Sequence, residues 1–134
     1  MAPSTEPYLF SATGLQEMTP ERLGREFDTA PAVVYVKTRE GQYVFVNQMY
    51  EKLTGRSRQQ VVGKNDFSIF RKEEATKFQR HDARVIAEKR ALSFIEYVTL
   101  PNTGKRTFME VKVPLFDSSG EVYAICAVAA ELAT

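Results

Sequence analysis

Apolar residues fall into stretches with two different periods along this chain, and the order of those stretches predicts its elements. Thr19-Pro20-Glu21 opens a short helix, with Thr as N-cap, Pro at the first helical position and an acid near the positive end of the dipole. Leu23 and Phe27, four apart, give that helix one apolar stripe, and Pro31 ends it. Ala32 to Lys37 and Tyr43 to Val46 are rich in β-branched and aromatic residues, and Arg39-Glu40-Gly41 between them makes a hairpin turn. Short helical pieces follow. Asn47 caps Gln48 to Thr54, which Gly55 stops; Ser57 caps a turn reaching Val62; Asp66 caps a turn that carries Phe67 and Phe70. Such short pieces need tertiary packing to persist.

Lys72 to Lys89 is predicted as the one long helix, with Ala75, Phe78, Asp82, Val85 and Ile86 on a single side at 100° per residue. Three strands then close the chain: Leu92 to Leu100, Arg106 to Phe116 and Val122 to Ala130. The turns between them, Pro101-Asn102-Thr103-Gly104 and Asp117-Ser118-Ser119-Gly120, are polar and bear glycine, as tight hairpins require. The last strand lacks polar alternation, so both faces of its sheet need cover. Residues 1–19, with Pro3, Pro7 and Gly14, read as a flexible arm; residues 20–134 read as one domain, with a cap helix at 20–29 and a core at 31–130.

Composition narrows the function. A chain of 134 residues is one domain with one core. Net charge is +1 and no Lys/Arg run marks a phosphate-binding face, so nucleic acid is not an expected partner. No stretch is long and apolar enough for a membrane span, and the start lacks a signal-peptide pattern, so a cytoplasmic domain without membrane contact is expected. Cys126 is alone, which rules out an internal disulfide and a thiolate zinc cluster; no metal site is expected. One histidine, no nucleophile elbow and no phosphate-cradling loop leave no support for catalysis by this domain.

The carrying segments Val34-Tyr35-Val36-Lys37, Tyr43-Val44-Phe45-Val46-Asn47 and Leu53-Thr54-Gly55 come in a telling order with Val62-Gly63-Lys64-Asn65-Asp66-Phe67, Arg84-Val85-Ile86, Lys112-Val113-Pro114-Leu115 and Gly120-Glu121-Val122-Tyr123. Over about Pro31 to Thr134 the chain resembles a PAS domain of bacterial sensor proteins. It departs from that pattern at Thr38, where an Asp is usual, and at Glu131-Leu132-Ala133, in place of an Asp-Ile-Thr-like exit signal. The resemblance implies an α+β fold: a five-stranded antiparallel sheet with helices packed on one face, a ligand cavity between them, and an N-terminal helix on the other face or against a second chain. It also implies a sensory module of a larger signalling protein, with a sensor histidine kinase as the leading choice and an effector domain in the parent chain. A homodimer is expected through the Leu23/Phe27 stripe.

The aromatic set Tyr35, Tyr50, Phe67, Phe70, Phe78, Phe94 and Phe108, with Leu53 and Val85, reads either as the lining of a small-molecule pocket or as a filled core. Asp82 is a carboxylate on an apolar stripe and needs a partner, for which Lys64, Lys112 and Arg106 are candidates; alternatively it accepts a hydrogen bond from a ligand. His81 lies one turn from the place where haem-binding relatives carry their axial ligand, a place that Phe78 holds, which argues against haem. A flavin photoadduct is excluded, since Gly63-Lys64-Asn65-Asp66-Phe67 contains no thiol where those relatives need one. The ligand's identity stays open. The alternatives are a ligand-free interaction and dimerisation module, and a small cone-barrel isomerase-like enzyme with Asp82 as base; the hairpin at the start of the pattern argues against the last.

Overall fold

The computed structural model describes residues 20–132, so the arm at 1–19 and the cap at Thr19 lie outside the described residues. Helix α1 (Pro20–Phe27) leads into the hairpin β1 (Val33–Thr38) and β2 (Tyr43–Val46). Helices α2 (Gln48–Thr54) and α3 (Arg58–Val61), a 3₁₀ turn (Asp66–Ser68) and the long helix α4 (Lys72–Glu88) follow. The meander β3 (Leu92–Leu100), β4 (Gly104–Phe116) and β5 (Val122–Glu131) completes the fold. All pairings are antiparallel, in the order β2-β1-β5-β4-β3, so the last strand lies at the centre, between the first and the fourth.

Local chemistry explains the short elements. Gly55 stops α2 in the left-handed region (φ 71°), where its N–H reaches back to Glu51 O. Ser57 and Gln60 form a reciprocal capping box on α3. The cap of the 3₁₀ turn is not Asp66, as the sequence pattern predicts, but Asn65, whose side chain accepts from Phe67 N; Asp66 is the first residue inside the turn and points into the core. Asn47 does more than cap. Fully buried, its Oδ1 accepts from Val34 N and Tyr50 N, and its Nδ2 donates to Phe27 O and Ala32 O, so it ties β1, α2 and the end of α1 together.

The sheet has two faces of different character. On the inner face, Val33, Tyr35, Phe108, Ala127 and Ala129 pack with Tyr50, Val61 and Ile69 from the helical segment, and Val85 of α4 meets Phe94 and Ile125. On the outer face α1 covers one end, its Leu23 buried with Val34, Val36, Phe45, Leu115, Ala124 and Cys126. That helix stripe is thus spent on its own sheet rather than left free for a second chain. The rest of the outer face carries Ile95, Tyr97, Met109, Val111 and Val128, each 38–48% exposed.

Candidate functional site

Strand alternation puts Tyr35 and Lys37 of β1, Glu96 of β3, and Phe108, Glu110 and Lys112 of β4 on the inner face. Asp82 of α4 and Asp66 of the 3₁₀ turn come down onto them. The result is an alternating chain of charge. Lys37 Nζ lies 2.6 Å from Asp66 Oδ2 and 2.7 Å from Asp82 Oδ2. Lys112 Nζ lies 2.7 Å from Asp82 Oδ1, 3.4 Å from Glu96 Oε2 and 3.6 Å from Glu110 Oε1. Tyr43 Oη donates to Asp66 Oδ1 at 2.6 Å, and His81 Nδ1 meets Glu96 Oε2 at 2.7 Å while its ring stacks on Phe94. Both lysines are no more than 1% exposed.

Asp82 therefore bridges two lysines. Of its expected partners only Lys112 is one; Arg106 instead pairs with Glu131 at the sheet end, and Lys37 takes the remaining place. Burial pushes the Asp82 carboxyl up, but the ammonium groups of Lys37 and Lys112 outweigh it and hold the group below its usual range. A carboxylate so held is a poor general base, which removes the physical footing of the isomerase alternative.

Beside this network lies a cavity of about 60 Å³ with mostly buried walls. Of the residues expected to line a pocket, Tyr35, Tyr50, Leu53, Phe70, Phe78 and Phe108 do so, together with Tyr43, Glu96 and Glu110. Four do not. Phe94 and Val85 pack on Ile125 away from it. Phe67 is exposed, and with Asp82 it borders a larger groove of about 670 Å³ whose other walls are largely exposed polar side chains of the β1–β2 turn and α4. The smaller cavity is the better candidate, because its walls are desolvated aromatic rings that converge on a few polar atoms. Two of those atoms, Tyr50 Oη and Glu110 Oε1, are buried with no hydrogen-bond partner. Ala129, near the end of β5, lines the floor, and its small side chain leaves room above it.

Glu110, Glu96, Lys37 and Asp66 are not among the site residues expected from the sequence pattern, although for the strand residues a signal is there. Each Lys or Glu stands an even number of positions from an inward aromatic on its own strand: Lys37 from Tyr35, Glu96 from Phe94, Glu110 and Lys112 from Phe108. Charged residues in phase with an apolar face are the mark of a buried polar network.

Burial pushes the Glu110 carboxyl up to about 8; Lys112 pulls against that and the Glu96 carboxyl adds to the rise. Its folded value lies above its ordinary 4.5, so the stability it contributes is complete below 4.5 and is lost as pH rises through about 8. His81 is lowered from 6.5, chiefly by burial and then by Lys112, so its effect works below that pH. Between pH 6.5 and 8 the Glu110 effect leads among the described residues, and unfolding free energy is expected to fall as pH rises. Urea titrations across that interval check it, and Glu110→Gln is expected to flatten the slope.

Comparison with known proteins agrees with this architecture. The family described as the PAS fold matches residues 27–134, and the chain belongs to that family. The methanogenesis regulatory histidine kinase FilI of Methanothrix harundinacea is 29% identical over 115 residues, covering 86% of this chain and 13% of FilI. Among solved structures, the PAS domain of BvgS from Bordetella pertussis superposes with a TM-score of 0.73 at 24% identity, covering 85% of this chain and 86% of that one. VqmA bound to DPO gives a TM-score of 0.73 at 24% identity, covering 86% of this chain and 58% of that one. The chain thus spans a small part of the length of FilI, a regulatory histidine kinase. No helix among the described residues is long and apolar enough to cross a membrane.

Proposed function

We propose that this domain is the sensory module of a larger signalling protein, best matched to a histidine kinase, and that it binds a small molecule in the inner cavity. The observation that carries the reading is the pair of orphaned polar atoms, Tyr50 Oη and Glu110 Oε1, in an aromatic-walled cavity. A buried polar group without a partner costs about 1–3 kcal/mol, a penalty that a ligand offering the missing hydrogen bonds would remove. VqmA, similar in fold, has been solved with DPO bound. Occupancy would be felt by α4 through Phe78, which lines the cavity, and by β5 through Ala129, next to the exit at Glu131. Native mass spectrometry of the purified protein is the test: a released small molecule supports the reading, and an apo mass with no stabilisation by any member of a metabolite library counts against it.

A second function rests on the outer face. Ile95, Tyr97, Met109, Val111 and Val128 form an exposed apolar strip beside α1, a surface suited to a second copy of the domain. VqmA is described as a dimer. Light scattering is expected to give twice the chain mass, falling to one chain for Val111→Glu. A deletion of residues 1–28 that leaves the mass unchanged would agree with this face rather than the Leu23/Phe27 stripe.

A further inference from the structure

The buried network is rich in acid. Four carboxyl groups, from Asp66, Asp82, Glu96 and Glu110, face two ammonium groups, from Lys37 and Lys112. The lysines are already spent. Lys37 engages Asp66 and Asp82, and the short contact of Lys112 is to Asp82, which leaves Glu110 Oε1 at 3.6 Å with no hydrogen bond. That oxygen faces a cavity whose walls include Tyr35, Tyr43, Tyr50 and Phe108. The same rings already host cations: Lys37 Nζ lies 5.5 Å from the Tyr35 centroid and 5.3 Å from that of Tyr43, and Lys112 Nζ lies 5.9 Å from that of Tyr35.

We infer that the cavity selects a small organic cation, a protonated amine or amidine, whose N–H donates to Glu110 Oε1 while its apolar part lies among Tyr35, Tyr50 and Phe108. This rests on the cavity being a ligand site at all, and it names the chemistry of that ligand. A neutral molecule could satisfy the two orphaned atoms, but it would leave Glu110 protonated and make no use of the excess of carboxyl over ammonium groups. An anion would add to that surplus. The ionised Glu110 would sit between its own Lys112, the Glu96 carboxyl of β3, Tyr35 of β1, Tyr50 of α2, and Asp82 and His81 of α4, with only apolar Ala129 facing it from β5.

The proton balance gives the inference a signature of its own. Glu110 holds a proton at neutral pH when nothing else compensates it, since burial pushes it up to about 8. Entry of an ammonium ion displaces that proton to solvent, so about one proton leaves per cation bound. Affinity should then rise about tenfold per pH unit below pH 8 and level off above it.

The test uses three probes on one skeleton: isopropylammonium, 2-propanol and isobutyrate. Binding is followed by aromatic and methyl NMR shifts of the cavity residues and by calorimetry in two buffers of different ionisation heat. The expected result is that the ammonium binds at least tenfold more tightly than the alcohol, releases about one proton at pH 7, and loses at least tenfold in affinity in Glu110→Gln, while alcohol binding persists in that variant. Alcohol or isobutyrate binding as tightly as the ammonium, or an ammonium affinity unchanged in Glu110→Gln, would overturn the cation assignment and leave the ligand-site reading standing. If none of the three shifts a cavity resonance, both readings fall.

Discussion

Lys112→Met is expected to cost about 3–5 kcal/mol of folding free energy, the range measured when one partner of a buried ionic network is removed. The reason lies in its three carboxyl neighbours. Asp82, Glu96 and Glu110 all lie within 3.6 Å of its Nζ, and each is buried. Methionine keeps the volume and the apolar stem but removes the charge, so the loss reads the electrostatics and not a cavity. A domain of this size is stable by about 5–15 kcal/mol, so the variant should be near its limit at neutral pH. It should also regain stability as pH falls, because protonating the carboxyl groups removes the uncompensated charge. Urea denaturation at pH 7 and pH 5 measures both effects. A loss under about 1 kcal/mol, or no recovery in acid, would mean that the four carboxyl and two ammonium groups do not act as one desolvated network. Combining Lys112→Met with Asp82→Asn should give back part of the loss, since the two groups are in contact and their effects do not add.

Asn47→Ala is the second large effect, expected at about 3 kcal/mol or more. The side chain satisfies four backbone groups that have been withdrawn from water: Val34 N, Tyr50 N, Phe27 O and Ala32 O. An N-cap alone is worth about 1 kcal/mol, and each buried backbone group left without a partner adds about 1–3 kcal/mol unless the structure relaxes to admit water. The variant should also loosen α1, because the bond to Phe27 O lies where that helix ends. Hydrogen exchange should therefore show α1 losing protection ahead of the sheet. Equal loss everywhere would show that Asn47 acts only on global stability and not as the fastener of the outer helix. Asn47→Asp keeps the accepting oxygen but sets a buried carboxyl against the Phe27 and Ala32 carbonyl oxygens, and is expected to cost at least as much as Asn47→Ala.

Asn47 and Asp82 mark how far the sequence reads. Asn47 was legible as a cap, since Asn before an amphipathic helix that glycine ends is a local signal. Its bonds to Phe27 and Ala32 were not, because they join residues 20 and 15 positions apart. Asp82 was legible as a carboxylate in need of a cation, since helical phase alone puts it between Phe78 and Val85 on the buried side. Which cation was not legible. Lys37 lies on the first strand, and only the placement of the last strand between the first and the fourth brings it within reach of the helix that carries Asp82.

By itself the sequence determined the two leading strands, the three trailing ones and the phase of the long helix, because turn chemistry and apolar periodicity act over a few residues. It also determined the family, through segments whose order and spacing are distinctive together. Tertiary structure decided the rest: that Phe67 stays outside, that Val85 and Phe94 pack away from the cavity, and that Glu110 lines it with an oxygen that makes no hydrogen bond. The physical reason is that burial and charge compensation belong to groups brought together across the sheet, and the strand order that does so is set by the whole core.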